Sequence, residues 1–250
     1  MRAPDWLTAR PVAHRGLHYR ARGIVENMPG AVEAAIAGHF AVEVDLQLTA
    51  DGEAIVHHDG TLGRLTEGSG PLRGMTAAEL KAVKFKDTPE RMMSLADLCA
   101  LVKGRVPLLI EVKSHFDGDR RLVARMSEVL AAYSGPAAVM SFDPDQVLAL
   151  RRLLPRLPRG ITAERRYDQA DWPEATAVQR RSMRNLRHVF RTQPHFIAYR
   201  IDDLPAPEPW IARHLFGLPL LTWTVRTPEQ RQRAGSHADQ MIFEGFRPST

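Results

Sequence analysis

Two carboxylates and a histidine lie close together in the segment Ala41–Asp59. Apolar and polar residues alternate in its first half, which predicts a β-strand with one apolar face. Glu43 and Asp45 are two positions apart on the polar face, so both carboxylates can reach one ion. A tight turn at residues 51–52 then returns the chain to His58. The acids alone are equally consistent with a solvent-exposed strand, and the rest of the chain decides between these interpretations.

Two further predicted strands end in residues of the same chemical kinds. His14 and Arg15 follow a strand at about Arg10–Ala13, and Glu111 and Lys113 end a later apolar strand. A single histidine on a strand is most often structural, and a neighbouring Glu and Lys can form a simple ion pair. Parallel strands of a barrel, however, bring their C-terminal ends to one rim, so we expect all these side chains to converge.

The predicted rim combines the groups needed to cleave a phosphodiester. Three carboxylates without a thiolate are hard ligands that suit magnesium or calcium and, less specifically, manganese. Zinc is less well suited, although a histidine could recruit it. The Arg and Lys side chains would neutralise a phosphoryl group, and the two histidines could donate and accept protons near neutral pH. The chain has no phosphate-binding glycine loop, so hydrolysis of a nucleoside triphosphate is poorly supported.

The elements that position these residues alternate between strand and helix. The other predicted strands are Leu108–Lys113, Ala137–Phe142, Arg159–Ala163, Phe196–Ile201, Leu220–Val225 and Gln240–Phe243. The predicted helices are Gly30–Gly38, Ser94–Val102, Arg120–Tyr133, Asp143–Leu154, a part of Ala175–Val189, Glu208–Phe216 and Thr227–Arg233. Eight strands in this alternation predict a single TIM (β/α)8 barrel domain over residues 1–250, with the irregular stretch at about 60–90 as an insertion after the second strand. An open doubly wound sheet is the alternative, but no glycine-rich dinucleotide fingerprint follows the first strand.

The composition is that of an ordinary globular protein with an excess of basic residues. The 250 residues are 44% hydrophobic and carry a formal net charge of +5. Cys99 is the only cysteine, which excludes a disulfide framework and a cysteine-based zinc site. No signal-peptide run and no apolar window of membrane-spanning length is present. We therefore expect a cytoplasmic protein without stable membrane insertion.

The basic excess is mostly arginine, concentrated between Arg151 and Arg191. Arginines that cover solvated helix faces explain this pattern, and a patch for anionic lipid or nucleic acid is the alternative. The chain has no recognition-helix motif and no zinc-finger spacing. We therefore expect no nucleic-acid partner.

Six short motifs resemble the glycerophosphodiester phosphodiesterase family in content and in order. They are AHRG at Ala13–Gly16, ENMP at Glu26–Pro29, EVDLQLTADG at Glu43–Gly52, HHD at His57–Asp59, IEVK at Ile110–Lys113 and TWTV at Thr222–Val225. The resemblance implies a TIM barrel with a small insertion after the second strand. It also implies catalytic histidines at His14 and His58, metal ligands at Glu43, Asp45 and Glu111, and substrate-binding roles for Arg15, Lys113, Trp223 and Asn27.

The same resemblance implies an activity. It is the metal-dependent hydrolysis of glycerophosphodiesters to glycerol 3-phosphate and an alcohol, by histidine acid–base catalysis with Mg²⁺ or Ca²⁺, within lipid metabolism. The alternatives are a related phospholipase-type activity on lysophospholipids and a non-catalytic protein that binds anionic lipid or nucleic acid. The chain differs from the family at Met28, where Thr is usual, and at Ile242–Gly245, where the last strand usually runs into a Thr-Asp pair.

Overall fold

The computed structural model describes residues 3–248. Its strands are β1 (Val12–Ala13), β2 (Ala41–Leu48), β3 (Ala54–Val56), β4 (Thr61–Leu62), β5 (Gly70–Pro71), β6 (Leu108–Val112), β7 (Ala137–Ser141), β8 (Arg159–Ala163), β9 (Phe196–Arg200), β10 (Leu220–Val225) and β11 (Gln240–Phe243). Its α-helices are α1 (Pro29–Ala37), α2 (Ala77–Ala82), α3 (Leu95–Val102), α4 (Arg121–Ala131), α5 (Pro144–Leu153), α6 (Ala177–Arg184), α7 (Val189–Thr192), α8 (Pro207–Phe216) and α9 (Pro228–His237).

Eight of these strands form one closed parallel barrel. The order around the ring is β1, β2, β6, β7, β8, β9, β10 and β11, and β1 pairs with both β2 and β11 to close it. β3 runs antiparallel to the end of β2, and β4 pairs with β5 outside the barrel. Helices connect the barrel strands, so the TIM-barrel prediction is confirmed and the open doubly wound sheet is wrong.

Side-chain alternation along the strands builds two apolar layers. Val44 and Ile110 belong to the layer between the strands and the surrounding helices, where Leu98 also packs. Leu109 and Met140 belong to a second layer, which fills the barrel interior. Successive residues of a strand point to opposite sides, so the odd-numbered residues of β2 face the interior. Every residue of β2 except its last is buried, because helices cover one face and the barrel interior covers the other.

The stretch between β3 and α3 is the predicted insertion. It contains β4, β5 and α2, and its apolar side chains, including Leu72 and Phe85, form a third cluster with Met28, which precedes α1, and Ile55 of β3. Thr76 begins α2 with a capping box, which satisfies backbone N–H groups that the first helical turn leaves without a partner. The insertion therefore packs firmly beside the C-terminal end of β2.

Two helices differ from the sequence-based expectation. The single helix expected within Ala175–Val189 is two helices, α6 and α7, because the buried Leu186 between them has a left-handed φ of 50°. α9 continues to His237, beyond the expected end at Arg233. Among residues 3–248, no helix combines the length and the apolar character needed to cross a bilayer.

Candidate active site

A cavity of about 740 Å³ opens towards the C-terminal ends of the barrel strands. Eight of the nine site residues predicted from the sequence line it: His14, Arg15, Glu43, Asp45, His58, Glu111, Lys113 and Trp223. The ninth, Asn27, does not line the cavity but is buried against Asp45. The structure thus brings together side chains that are spread over more than two hundred positions of the chain.

The three buried carboxylates of the cavity form one cluster. Asp45 and Glu111 are direct neighbours in the register of β2 and β6. An oxygen of each, together with one of Glu43, lies within 4.8 Å of the others. Burial raises the pKa of Glu43 well above its ordinary value, and the charges of Asp45 and Glu111 raise it further. Three hard oxygen donors held this close fit a divalent cation, which would relieve their mutual repulsion.

Two cationic side chains border the carboxylates. Nζ of Lys113 lies 2.8 Å from Asp45 Oδ1 and 2.5 Å from Glu111 Oε1. Nε of Arg15 lies 3.3 Å from Asp45 Oδ2, and its backbone N–H donates to Glu43 Oε2 at 2.8 Å. Burial opposes the ionisation of Asp45, but the positive charge of Lys113, with that of Arg15 adding to it, holds the pKa of Asp45 far below its ordinary value. Asp45 is therefore ionised.

Each of the two site histidines is held by a carboxylate. Nδ1 of His14 lies 2.6 Å from Glu244 Oε2, and Nδ1 of His58 lies 2.8 Å from Asp59 Oδ1. In both rings the Nδ1–H donates to the carboxylate, which leaves Nε2 available to a substrate. Burial lowers the pKa of both rings, and Lys113 helps to lower that of His58 to about 4. Burial therefore favours the neutral form of both imidazoles, in which Nε2 has a free lone pair.

A network of ion pairs links Asp59, the carboxylate partner of His58, to Arg15. Arg64, from the insertion, donates from Nε to Asp59 Oδ2 at 2.6 Å and from Nη2 to Glu26 Oε1 at 2.7 Å. Glu26 also accepts from Arg15 Nη1 at 2.7 Å. Burial opposes the ionisation of Glu26, but hydrogen bonds and charges from Arg64 and Arg15 lower its pKa to about 2. The insertion thus contributes directly to the geometry of the site.

Asn27 holds Asp45 in place with two hydrogen bonds. Its Nδ2 donates to Asp45 Oδ2 at 2.9 Å, and its Oδ1 accepts from the backbone N–H of Asp45 at 3.3 Å. Asn27 has a left-handed φ of 61°, a conformation that Asn tolerates better than most residues. This double contact orients one carboxylate oxygen and leaves the other to Lys113.

Three aromatic side chains, Phe142, Trp172 and Trp223, also line the cavity. The rings of Phe142 and Trp223 lie 5.5 Å apart in an edge-to-face contact, and Trp172 packs on Phe142 at 4.7 Å. Trp223 Nε1 donates to the Ala198 carbonyl at 3.0 Å, which fixes the indole plane. The cavity therefore offers charged groups for an anion and aromatic rings for the rest of a ligand.

Sequence reasoning missed Glu244 and Arg64 as site residues. The sequence indicated Glu244 only as part of residues 242–245, where the chain differs from the family motif. Nothing in the sequence predicted its contact with His14, 230 positions away. Arg64 lies in irregular sequence whose path cannot be read from periodicity. Asp59 had a usable signal, because it directly follows His58 in the HHD motif.

Comparison with known proteins agrees with the fold and with the motifs. Residues 14–242 match the model of the glycerophosphoryl diester phosphodiesterase family. A glycerophosphodiester phosphodiesterase of Caldanaerobacter subterraneus subsp. tengcongensis is 29% identical over 160 residues, which are 60% of this chain and 65% of that protein. Glycerophosphodiester phosphodiesterase 1 of Mus musculus is 24% identical over 257 residues, covering 90% of this chain and 74% of its own length.

Solved structures extend this likeness to three dimensions. A putative glycerophosphoryl diester phosphodiesterase from Silicibacter pomeroyi superposes with a TM-score of 0.75 at 25% identity, covering 94% of this chain and 89% of its own. A phosphodiesterase from Oleispira antarctica, solved in complex with the product sn-glycerol-3-phosphate, gives a TM-score of 0.75 at 19% identity, covering 93% and 91%. Because the family match spans nearly all the barrel, the chain belongs to the glycerophosphoryl diester phosphodiesterase family.

Proposed function

We propose that this protein hydrolyses glycerophosphodiesters to glycerol 3-phosphate and an alcohol. The observation that carries the proposal is the arrangement of His14 and His58, each held by its own carboxylate, around one cluster of three acids and two cations. Family membership supports the reaction class. The product named for the Oleispira antarctica structure supports glycerol 3-phosphate as the phosphate-containing product.

A divalent cation, Mg²⁺ or Ca²⁺, is the proposed cofactor. Glu43, Asp45 and Glu111 would hold it, since their oxygens converge and hard carboxylate donors suit both ions. When bound, the ion would supply Lewis-acid polarisation of the phosphoryl group. Arg15 and Lys113 add fixed positive charge next to the same place, which favours binding of the anionic phosphodiester.

The two histidines are the proposed acid–base pair. The Nε2 of one imidazole takes the proton of the attacking oxygen as that oxygen bonds to phosphorus. The other ring, in its protonated form, gives a proton to the alcohol oxygen as the bond between that oxygen and phosphorus breaks. Glu244 and Asp59 orient the rings and favour positive charge on them. Trp223 and its aromatic neighbours would contact the apolar part of the substrate.

The test is an assay of the purified protein on glycerophosphocholine, glycerophosphoethanolamine and a lysophospholipid. We expect release of glycerol 3-phosphate from the first two, loss of activity after chelation, and recovery with Mg²⁺ or Ca²⁺. The ion should also raise the melting temperature, because it binds the folded site and not the unfolded chain. Full activity after chelation would contradict the metal role, and activity on the lysophospholipid alone would favour the phospholipase-type alternative.

Replacing a histidine separates catalysis from binding. We expect His58→Ala to lower kcat by about 10²–10⁴-fold with an intact fold, because it removes one proton-transfer group. The melting-temperature rise with Mg²⁺ or Ca²⁺ should persist in this variant, since His58 is not among the three proposed ligands. A folded His58→Ala protein with normal kcat would remove the proposed role.

A further inference from the structure

The solvent-facing side of α8 is apolar except for His214. Pro209 and Ala212 of this helix are buried against the barrel, as expected for an outer helix of a TIM barrel. Its exposed side carries Trp210, Ile211 and Leu215, of which Leu215 is 68% exposed. A helix on the surface of a water-soluble barrel normally carries charged or polar residues there. Such a contiguous exposed apolar surface is typical of a site that contacts another molecule.

The apolar surface continues onto the neighbouring helix α7. Phe190 is 75% exposed, and its ring meets that of Phe216 edge to face at 6.4 Å. Phe216, the last residue of α8, is itself exposed. We call the exposed side chains of Phe190, Trp210, Ile211, Leu215 and Phe216 the α7–α8 flank. They form a group on two adjacent helices and are not scattered surface residues.

The segment of the chain that contains α7 carries charged side chains of positive sign only. Six arginines and no acidic residue lie between Glu174 and Asp202: Arg180, Arg181, Arg184, Arg187, Arg191 and Arg200. Arg191 and Arg200 are paired with carboxylates of other elements. Arg181, Arg184 and Arg187 are exposed, and no carboxylate among residues 3–248 forms an ion pair with them. Acidic residues share the groove that Arg181 and Arg184 border, but at longer range.

We propose that the α7–α8 flank docks on the surface of an anionic lipid bilayer. Exposed Trp, Phe, Leu and Ile side chains would enter the boundary between headgroups and acyl chains, and the exposed arginines that precede α7 in the chain would meet anionic headgroups. A second copy of the chain fits less well, because a two-fold contact would bring two acid-free arginine segments together. Nucleic acid fits less well too, since aliphatic Ile211 and Leu215 offer no stacking surface for bases.

The α7–α8 flank is separate from the candidate active site, since none of its five side chains lines the catalytic cavity. α7 and α8 lie on the outside of the barrel, in the connections from β8 to β9 and from β9 to β10. The catalytic cavity opens instead towards the C-terminal strand ends. A docked barrel would therefore keep its cavity open to water, and hydrolysis of a water-soluble diester should not depend on the flank. The inference goes beyond the proposed function and does not rest on it.

Co-sedimentation with vesicles tests the proposal. The full chain is mixed with vesicles of phosphatidylcholine alone or of phosphatidylcholine with phosphatidylglycerol. We expect binding to the vesicles that contain phosphatidylglycerol, weaker binding at higher salt, and little binding to phosphatidylcholine alone. Absence of binding to the anionic vesicles at low salt, or equal binding to both compositions, would overturn the proposal.

Two groups of variants identify the contact surface. Arg181→Gln, Arg184→Gln and Arg187→Gln together should weaken binding by roughly 100-fold, because each arginine near an anionic surface contributes about a factor of five. Ile211→Gln with Leu215→Gln should weaken it by about 10-fold or more, while Gln keeps good helix propensity. The matched control changes three exposed arginines in the other half of the barrel, Arg22, Arg91 and Arg120, to Gln. It removes the same charge and should weaken binding far less.

Other binding partners of the flank would give different experimental results. Equal loss in the control triple variant would show that net charge alone attracts the protein, and would overturn the assigned surface. A solution dimer that dissociates in the Ile211→Gln, Leu215→Gln variant would assign the flank to self-association and overturn lipid docking. Binding to a DNA oligomer would also overturn lipid docking if it were tighter than binding to vesicles and were lost in the triple arginine variant. Turnover of glycerophosphocholine should be unchanged in all these variants.

Discussion

The carboxylates of Glu244 and Asp59 set the chemistry of the two site histidines. Each accepts the Nδ1–H of one ring, so Nε2 is the nitrogen that meets the substrate. Burial lowers the pKa of His14, and the hydrogen bond to Glu244 opposes this by favouring the protonated ring. Glu244 therefore controls how readily His14 can hold a proton, although it does not itself line the cavity.

Replacing Glu244 with Gln should move the pH dependence of activity. The amide keeps a hydrogen-bond acceptor for His14 Nδ1–H but removes the negative charge, so the pKa of His14 should fall further. We expect the limb of the kcat/KM profile that reports His14 to move to lower pH, with a lower maximum rate. The measurement is kcat/KM from about pH 4 to pH 9 for both proteins. A profile identical to that of the natural chain would show that Glu244 does not tune this ring.

The residues of the site differ in how well the sequence predicts them. Glu43 and Asp45 follow from strand alternation, and Glu111 follows from the rule that parallel strands end at one rim. Glu244 and Arg64 could not be predicted in the same way. Their contacts join elements far apart in the chain, and their side-chain directions are decided by packing that no local pattern records.

At the scale of elements, the connection from β1 to α1 decides where Arg15 lies. Arg15 and Gly16 have consecutive left-handed φ values of 56° and 79°. This turn directs the backbone N–H of Arg15 to the Glu43 carboxylate, and that of Gly16 to the Glu43 carbonyl at 3.2 Å. A Cβ at Gly16 would lie 2.7–2.8 Å from backbone and side-chain atoms of Ala31 in α1. The close packing of this turn on α1 therefore requires glycine.

Gly16→Ala should lower both stability and activity. The left-handed conformation alone costs an alanine about 1–2 kcal/mol, and the clash with Ala31 must add to that by displacing the turn. A shift of Arg15 by about 1 Å could lower kcat/KM by roughly 100-fold. The matched control is Gly52→Ala, which has a similar φ of 80° but nothing within 4 Å of the new Cβ. Denaturant unfolding and steady-state kinetics should show the larger loss for Gly16→Ala, and equal effects would contradict the packing argument.

The strands were more predictable than the helices at this scale. β8, β10 and β11 have the bounds predicted from the sequence. Barrel strands are short and mostly buried on both faces, so their ends are marked by the turn and helix signals that follow them. The break between α6 and α7 was not predictable. It depends on the left-handed Leu186, whose conformation is imposed by its burial in the core and not by its own preference.

At the scale of the whole molecule, several buried or half-buried histidines are in neutral form. Burial is the main cause that lowers the pKa of His58, His188 and His195 to about 4 in each case. In an unfolded chain a histidine titrates near pH 6.5. Between these values the unfolded chain binds more protons than the folded one, so the free energy of unfolding must fall as the pH falls from about 6.5 to about 4. The protein should therefore be markedly less stable at pH 5 than at pH 7.

His188 gives this effect its clearest test, because it lies outside the candidate site. Its side chain is buried, and no described residue offers a hydrogen bond to either ring nitrogen. With pKa values of about 4 folded and about 6.5 unfolded, it should account for a loss of roughly 2 kcal/mol between pH 7 and pH 5. His188→Phe removes the titrating group and keeps an aromatic ring, so the stability difference between the two pH values should shrink by about that amount. Urea unfolding at both pH values measures it, and an unchanged difference would mean that His188 takes up its proton without unfolding the chain.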